Sequence, residues 1–211
     1  MSARGLGIVV VVLGALVGAA SAAPAPDLVP ATRIQRRFVE KRRRFAAYAG
    51  FVYLGRSDFY RSPGVEVAGS YYLFEPLALD LRAAWFFTSE TDELRGVVQR
   101  TGYTPDSRPS QAAVLVGARY SLGYAKLRLT ARRTLHFEPQ AFLYGGVHVT
   151  RGAASPTAVA PMFEVGLGFL VHATPRVQAR LDAGLTIGSE ERTSTVVVLG
   201  GYPRLSIGVM F

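Results

Sequence analysis

The chain closes with Leu205-Ser206-Ile207-Gly208-Val209-Met210-Phe211, in which Leu205, Ile207, Val209 and Phe211 recur at every second position. A period of two marks a β-strand, whose side chains point alternately to opposite faces. Chain ends normally fray, and an apolar strand with an unpaired edge invites aggregation. A strand of this kind at a terminus therefore requires a membrane or a partner to cover it.

The same period recurs upstream in seven further stretches. The first places Phe45, Ala47, Ala49, Phe51 and Tyr53 on one face, and the second sets Val65, Val67, Gly69 and Tyr71 against Glu66 and Ser70. The third has the clearest two faces, with Leu77, Leu79, Leu81, Ala83, Trp85 and Phe87 opposed to Asp80 and Arg82. In the fourth, Val114, Val116 and Tyr120 oppose Arg119; in the fifth, from Phe137, Leu143 and Val147 oppose Glu138, Tyr144 and His148. The sixth sets Phe163, Val165, Leu167 and Phe169 against Glu164 and His172, and the seventh sets Val177, Ala179 and Leu181 against Arg180 and Asp182. Val196 to Phe211 forms the eighth, bent at Pro203.

Glu75-Pro76 and Thr174-Pro175 mark tight turns, while Ser89 to Ser110 reads as a long polar loop. Gly123 to Leu135 is ambiguous, because Tyr124 to Thr130 could extend as a strand while Lys126, Arg128, Arg132 and Arg133 suit an aqueous turn. Counting it as a span would leave the termini on opposite sides, and single-chain bacterial barrels have even strand numbers, so the segment is assigned as a turn.

Eight alternating strands fit either a soluble barrel or a membrane one, since both close their edges. Charge decides between them. The apolar faces carry no Lys, Arg, Asp or Glu, whereas the other faces collect Glu66, Asp80, Arg82, Arg119, Glu138, Glu164, Arg180, Asp182 and Arg204. A soluble barrel turns its charges outward; this one would turn them inward and meet lipid outside. The fold class is therefore an all-β, eight-stranded antiparallel up-and-down transmembrane β-barrel over residues 45–211. Aromatic residues near strand ends, such as Phe45, Tyr53, Trp85 and Phe137, fit interfacial girdles.

A barrel of eight strands is only wide enough for side chains to fill it, and desolvated ions must find partners. Asp80, Arg82, Arg180, Asp182 and Arg204, together with Glu164, are the candidate interior polar cluster. They predict a closed, salt-bridged interior with no pore, the alternative being a solvated, loosely paired lumen.

Residues 1–23 read as a cleavable secretory signal: Arg4, the apolar run Leu6 to Ala20, and the small-residue exit Ser21-Ala22-Ala23 before Pro24. Residues 24–44 read as a basic periplasmic linker, carrying Arg36, Arg37, Lys41, Arg42, Arg43 and Arg44. The formal charge is +9, the loop charges cancel and the interior is nearly balanced, so the surplus belongs to this arm and the periplasmic turns. Its partners would be anionic headgroups, acidic wall polymer or envelope proteins, and not nucleic acid, since the chain is exported. With no cysteine there is no disulfide and no thiolate metal site or nucleophile, and His136, His148 and His172 lack metal-ligand spacing. No cofactor is expected.

Several short motifs carry a family resemblance: Gln35-Arg36-Arg37, Asp58-Phe59-Tyr60, Thr91-Asp92-Glu93-Leu94-Arg95 and His136-Phe137-Glu138. From about Arg36 onward the chain resembles the outer-membrane β-barrel domain family of myxobacteria and their relatives, although the family's Tyr-Gly-Lys turn stands here as Tyr124-Ala125-Lys126. The resemblance implies residence in the outer membrane and a part in envelope assemblies, gliding machinery among them, with no reaction. The closing strand likewise resembles the terminal signal that the barrel-assembly machinery reads, at Leu205, Ile207, Val209 and Phe211. The functional expectation is a non-enzymatic anchor or scaffold in a cell-envelope assembly. A surface adhesin using Ser89 to Ser110 is the alternative. Lesser ones are a small channel and a lipid-modifying rim enzyme built on His148 with Ser155, Ser189 or Ser194.

Overall fold

Hydrogen-bonded pairing brings the first strand against the last and so leaves the main sheet without an edge. The computed structural model describes residues 39–56, 60–102, 108–130, 133–151, 157–191 and 195–211. The proposed signal, the linker up to residue 38 and the Gln35-Arg36-Arg37 motif lie outside the described residues.

The strands are β1 Phe45–Arg56, β2 Tyr60–Tyr72, β3 Leu77–Phe86, β4 Ser89–Glu90, β5 Ser110–Ser121, β6 Ala125–Thr130, β7 Arg133–Thr150, β8 Ala158–His172, β9 Val177–Glu191 and β10 Thr195–Met210. All form one antiparallel sheet, in the order β1-β10-β9-β8-β7-β5-β3-β2, and β1 pairs with β2 to complete the circle. β4 and β6 are short additions, so eight strands form the closed barrel. Closure is in register from Ala46 opposite Met210 to Val52 opposite Arg204, and the Phe211 amide donates to the Phe45 carbonyl at 2.8 Å. The ladder lapses beside Pro203, which has no amide to donate, and resumes at Gly55 opposite Gly201.

Burial alternates along each span. On β10, Arg204, Ser206 and Met210 are buried while Leu205, Ile207 and Val209 are exposed. The exposed set elsewhere is apolar: Phe51 at 71%, Trp85 at 59%, Leu143 at 61% and Leu185 at 62%. Of the Asp, Glu, Lys and Arg side chains described on the eight spans, Arg61 alone is exposed. Water cannot be the solvent for an outer wall of this composition around an ionised interior, so the fold is a transmembrane β-barrel.

Two segments differ from the sequence expectation. The Ser89 to Ser110 excursion contains a helix, Asp92–Thr101, which Thr91 caps by accepting from the Leu94 amide at 3.3 Å. Gly102, at φ 66°, ends it in the left-handed region. Leu94, Val97 and Val98 stand on it at helical spacing, and of these only Leu94 is buried. Within Gly123 to Leu135, assigned above as a turn, the described residues include a short strand, β6, paired with the start of β7. β5 leaves β7 at Ser121 opposite Gln140, and β6 takes its place from Ala125 opposite Phe137 to Thr130 opposite Arg133. The strand propensity of Tyr124 to Thr130 is thus expressed beyond the barrel end, without a ninth crossing.

Candidate functional site

The interior is built where inward positions of β2, β3, β5, β8, β9 and β10 carry ions. Asp80 is the hub. Its Oδ2 lies 3.2 Å from Nη1 of Arg180 and 3.4 Å from both Nη2 of Arg82 and Nε of Arg119, and it accepts from the Tyr144 hydroxyl at 2.8 Å. Asp182 takes the Arg119 fork at 2.9 and 2.6 Å and Nη2 of Arg82 at 3.2 Å. Arg82 also reaches Glu66 at 3.8 Å; Glu66 lies 2.6 Å from Nε of Arg204, which reaches Glu164 at 3.2 Å. Asp80, Arg82, Arg180, Asp182, Arg204 and Glu164 are thus brought into a single chain of ion pairs, every member of which is buried.

Aromatic faces complete the lining. The guanidinium carbons of Arg180, Arg82 and Arg119 lie 3.5 Å from the Tyr48 ring centre, 4.5 Å from that of Tyr144 and 4.8 Å from that of Phe142. Four arginines face four carboxylates, with π-faces filling the space between. The charges of this cluster are spent chiefly on one another. Arg119 and Glu66 complete the network, although Arg119 is the lone inward charge of β5. Its neighbour Gly117 leaves room for the Tyr144 ring, which a Cβ there would meet at 2.4 Å. The legible signal was a single inward cation on β5 with an inward acid, Asp80, on the adjacent strand β3.

Gly168 has a comparable role. A Cβ built on it would lie 2.1 Å from Oδ1 of Asp182, the oxygen that accepts from Arg119. Gly168→Val is expected to displace that carboxylate and destabilise the barrel by about 3 kcal/mol. Urea titration of the micelle-refolded protein, followed by tryptophan emission, measures it; an unshifted midpoint would refute the packing argument.

Below the network, the segment before β1 enters the barrel mouth. Lys41 is fully buried; its ammonium pairs with Glu138, donates to Ser121 Oγ at 3.2 Å and lies 5.1 Å from the Tyr72 ring centre. The amides of Lys41 and Arg42 both donate to Glu75 Oε1, at 3.0 and 3.1 Å. Val39 is buried in a cluster with Ala46, Tyr48 and Leu170. This corrects the expectation of a free basic arm through residue 44: Lys41 is an interior ion, paired with Glu138 at the mouth. Arg42, Arg43 and Arg44 are exposed, whereas Arg36 and Arg37 lie outside the described residues.

The histidines are dispersed. His148 Nε2 is 3.1 Å from the backbone carbonyl of Ser189; Ser155 and Ser194 lie outside the described residues. His172 Nε2 is 3.2 Å from Glu138, and His136 Nδ1 is 2.6 Å from the Tyr124 hydroxyl. The terminal residues Leu205, Ile207, Val209 and Phe211 line the outer wall of the closing strand.

No protein-family model matches the sequence, and no curated protein matches it either. Among solved structures, the chain is similar to Neisserial surface protein A (14% identity, TM-score 0.49, covering 79% of this chain and 97% of that one). It is also similar to the N-terminal β-barrel domain of Pseudomonas aeruginosa OprF (13%, 0.47, 79% and 97%). A third likeness is to Ail, the attachment invasion locus protein of Yersinia pestis (11%, 0.41, 81% and 99%). The assignment of the fold rests on the barrel's own closure and on its charge distribution.

Proposed function

We propose that this chain is a non-enzymatic outer-membrane barrel that anchors an envelope assembly, with the basic segment ahead of β1 as its docking element. The observation that carries the reading is the Lys41 clamp. A segment pinned by a buried ion pair and two backbone bonds to Glu75 transmits load from whatever holds the arm to the barrel wall. The filled interior supports the same reading, since a plug of paired ions favours rigidity over passage of solute. The exposed Arg42, Arg43 and Arg44 continue the positive charge toward the periplasm, where an acidic protein partner would meet it. The motifs that resemble the myxobacterial family favour an envelope assembly, with gliding machinery as the finer form of the proposal.

A surface-binding role is the second reading, favoured by the capped helix Asp92–Thr101 between β3 and β5. Crosslinking in intact envelopes separates the two. Deleting residues 33–37, which spares the clamp, is expected to reduce recovery of crosslinked partners at least about tenfold. Replacing residues 91–102 by a short loop should leave recovery unchanged. The reverse pattern would transfer the function to the outer face.

A further inference from the structure

We propose that the outer wall over β1, β2 and β3 holds one phosphate-bearing lipid of the extracellular-side leaflet, its phosphate on Arg61 and an acyl chain in a groove along β2. The inference rests on the membrane placement argued above and adds a ligand to a surface that the anchoring role does not use.

The register lays the groove out row by row. Arg61 stands at the top of the outward column of β2, between Gly55 and Ser89, neither of which offers a side chain large enough to screen it. Below it, Pro63 is opposite Tyr53 on one side and accepts from the Phe87 amide on the other. Val65 follows between Phe51 and Trp85, then Val67 between Ala49 and Ala83, then Gly69 between Ala47 and Leu81. Aromatic walls therefore flank a floor of small residues. The Phe45 and Tyr71 rings, 5.4 Å apart, end the groove below. The depression measures about 530 Å³ and is lined by Ala49, Phe51, Val65, Val67, Ala83 and Trp85. From Arg61 to Val67 the strand runs roughly 20 Å, the reach of one extended acyl chain.

Charge selects the occupant. Among the ions whose side chains are described on the spans Arg61 alone is exposed, no described carboxylate pairs with it, and a guanidinium matches a phosphate in two-pronged geometry. It stands at the end of β2 away from the short 73–76 turn, which is the extracellular end in barrels with short periplasmic turns. A second copy of the chain fits less well. Two copies in one membrane share their orientation, so a twofold contact through this face would set Arg61 against its own equivalent and leave two concave floors facing each other.

Trp85, the single tryptophan, lines the groove and reports on it. The refolded barrel, in uncharged detergent micelles, is titrated with bisphosphorylated lipid A and with the same lipid after dephosphorylation. Trp85 emission should saturate at one lipid per barrel, with half-saturation about tenfold lower for the phosphorylated form. Arg61→Gln should abolish that preference, while Ala83→Phe, which fills the floor, should weaken both lipids. Equal affinity for the two lipids, or a preference that survives Arg61→Gln, would overturn the site. Oxidative dimerisation of Val67→Cys in membranes would assign the face to a second copy instead; the cysteine-free chain gives a clean background. Folding in buffer without detergent would remove the membrane placement itself, and it is read before any lipid is added.

Discussion

Asp80→Ala is expected to destabilise the barrel by about 3–5 kcal/mol, the range for removing one partner from a buried ionic network. Asp80 neutralises part of three guanidinium groups at once; its loss leaves Arg82 and Arg119 on Asp182 and leaves Arg180 with the hydroxyls of Ser70 and Tyr72. Lipid outside and aromatic rings within hinder water from replacing the lost carboxylate, so the carboxylate-sized void does little to relieve the imbalance. Asp80→Asn separates charge from hydrogen bonding, because an amide oxygen can still accept from Tyr144. It is expected to lose nearly as much as alanine. Urea unfolding in micelles, with the heat-dependent gel shift of folded barrels as a second readout, gives both values. An Asn variant of native stability would show that the network is held by hydrogen bonds and not by charge.

The strand period and its charge partition were sufficient to read the barrel, because lipid demands an outer face with no ions and the pleat enforces alternation. Leu79, Leu81 and Trp85 against Asp80 and Arg82 settle the matter almost alone. What escaped that reading depends on reach and not on period. Lys41 precedes the first strand, where alternation says nothing, and only the three-dimensional mouth shows that Glu138 awaits a cation there. Arg119 was visible as an inward charge, but its position between Asp80 and Asp182 follows from the stagger of neighbouring strands, which a pattern of two cannot fix. Strand β6 was obscured for a related reason: a strand that pairs beyond the barrel end need not be apolar on either face.

Lys41→Met is expected to open the clamp. The substitution keeps an unbranched side chain of similar length against Tyr72 while removing the positive charge, leaving Glu138 buried with Ser121 and His172 as its remaining partners. An uncompensated carboxylate at that position costs about 3 kcal/mol, and the energy is local, because the Asp80 network lies above and keeps its own balance. The loss should therefore appear as local opening of residues 39–44 rather than as global unfolding. Trypsin, added to the folded barrel in micelles, is expected to cut after Arg42, Arg43 or Arg44 about a hundredfold faster than in the native chain, the factor that such an energy corresponds to. Glu138→Leu combined with Lys41→Met removes both charges and is expected to restore most of the protection. If the single variant is cut no faster than native, Lys41 does not hold the arm, and the load-bearing link from arm to wall fails with it.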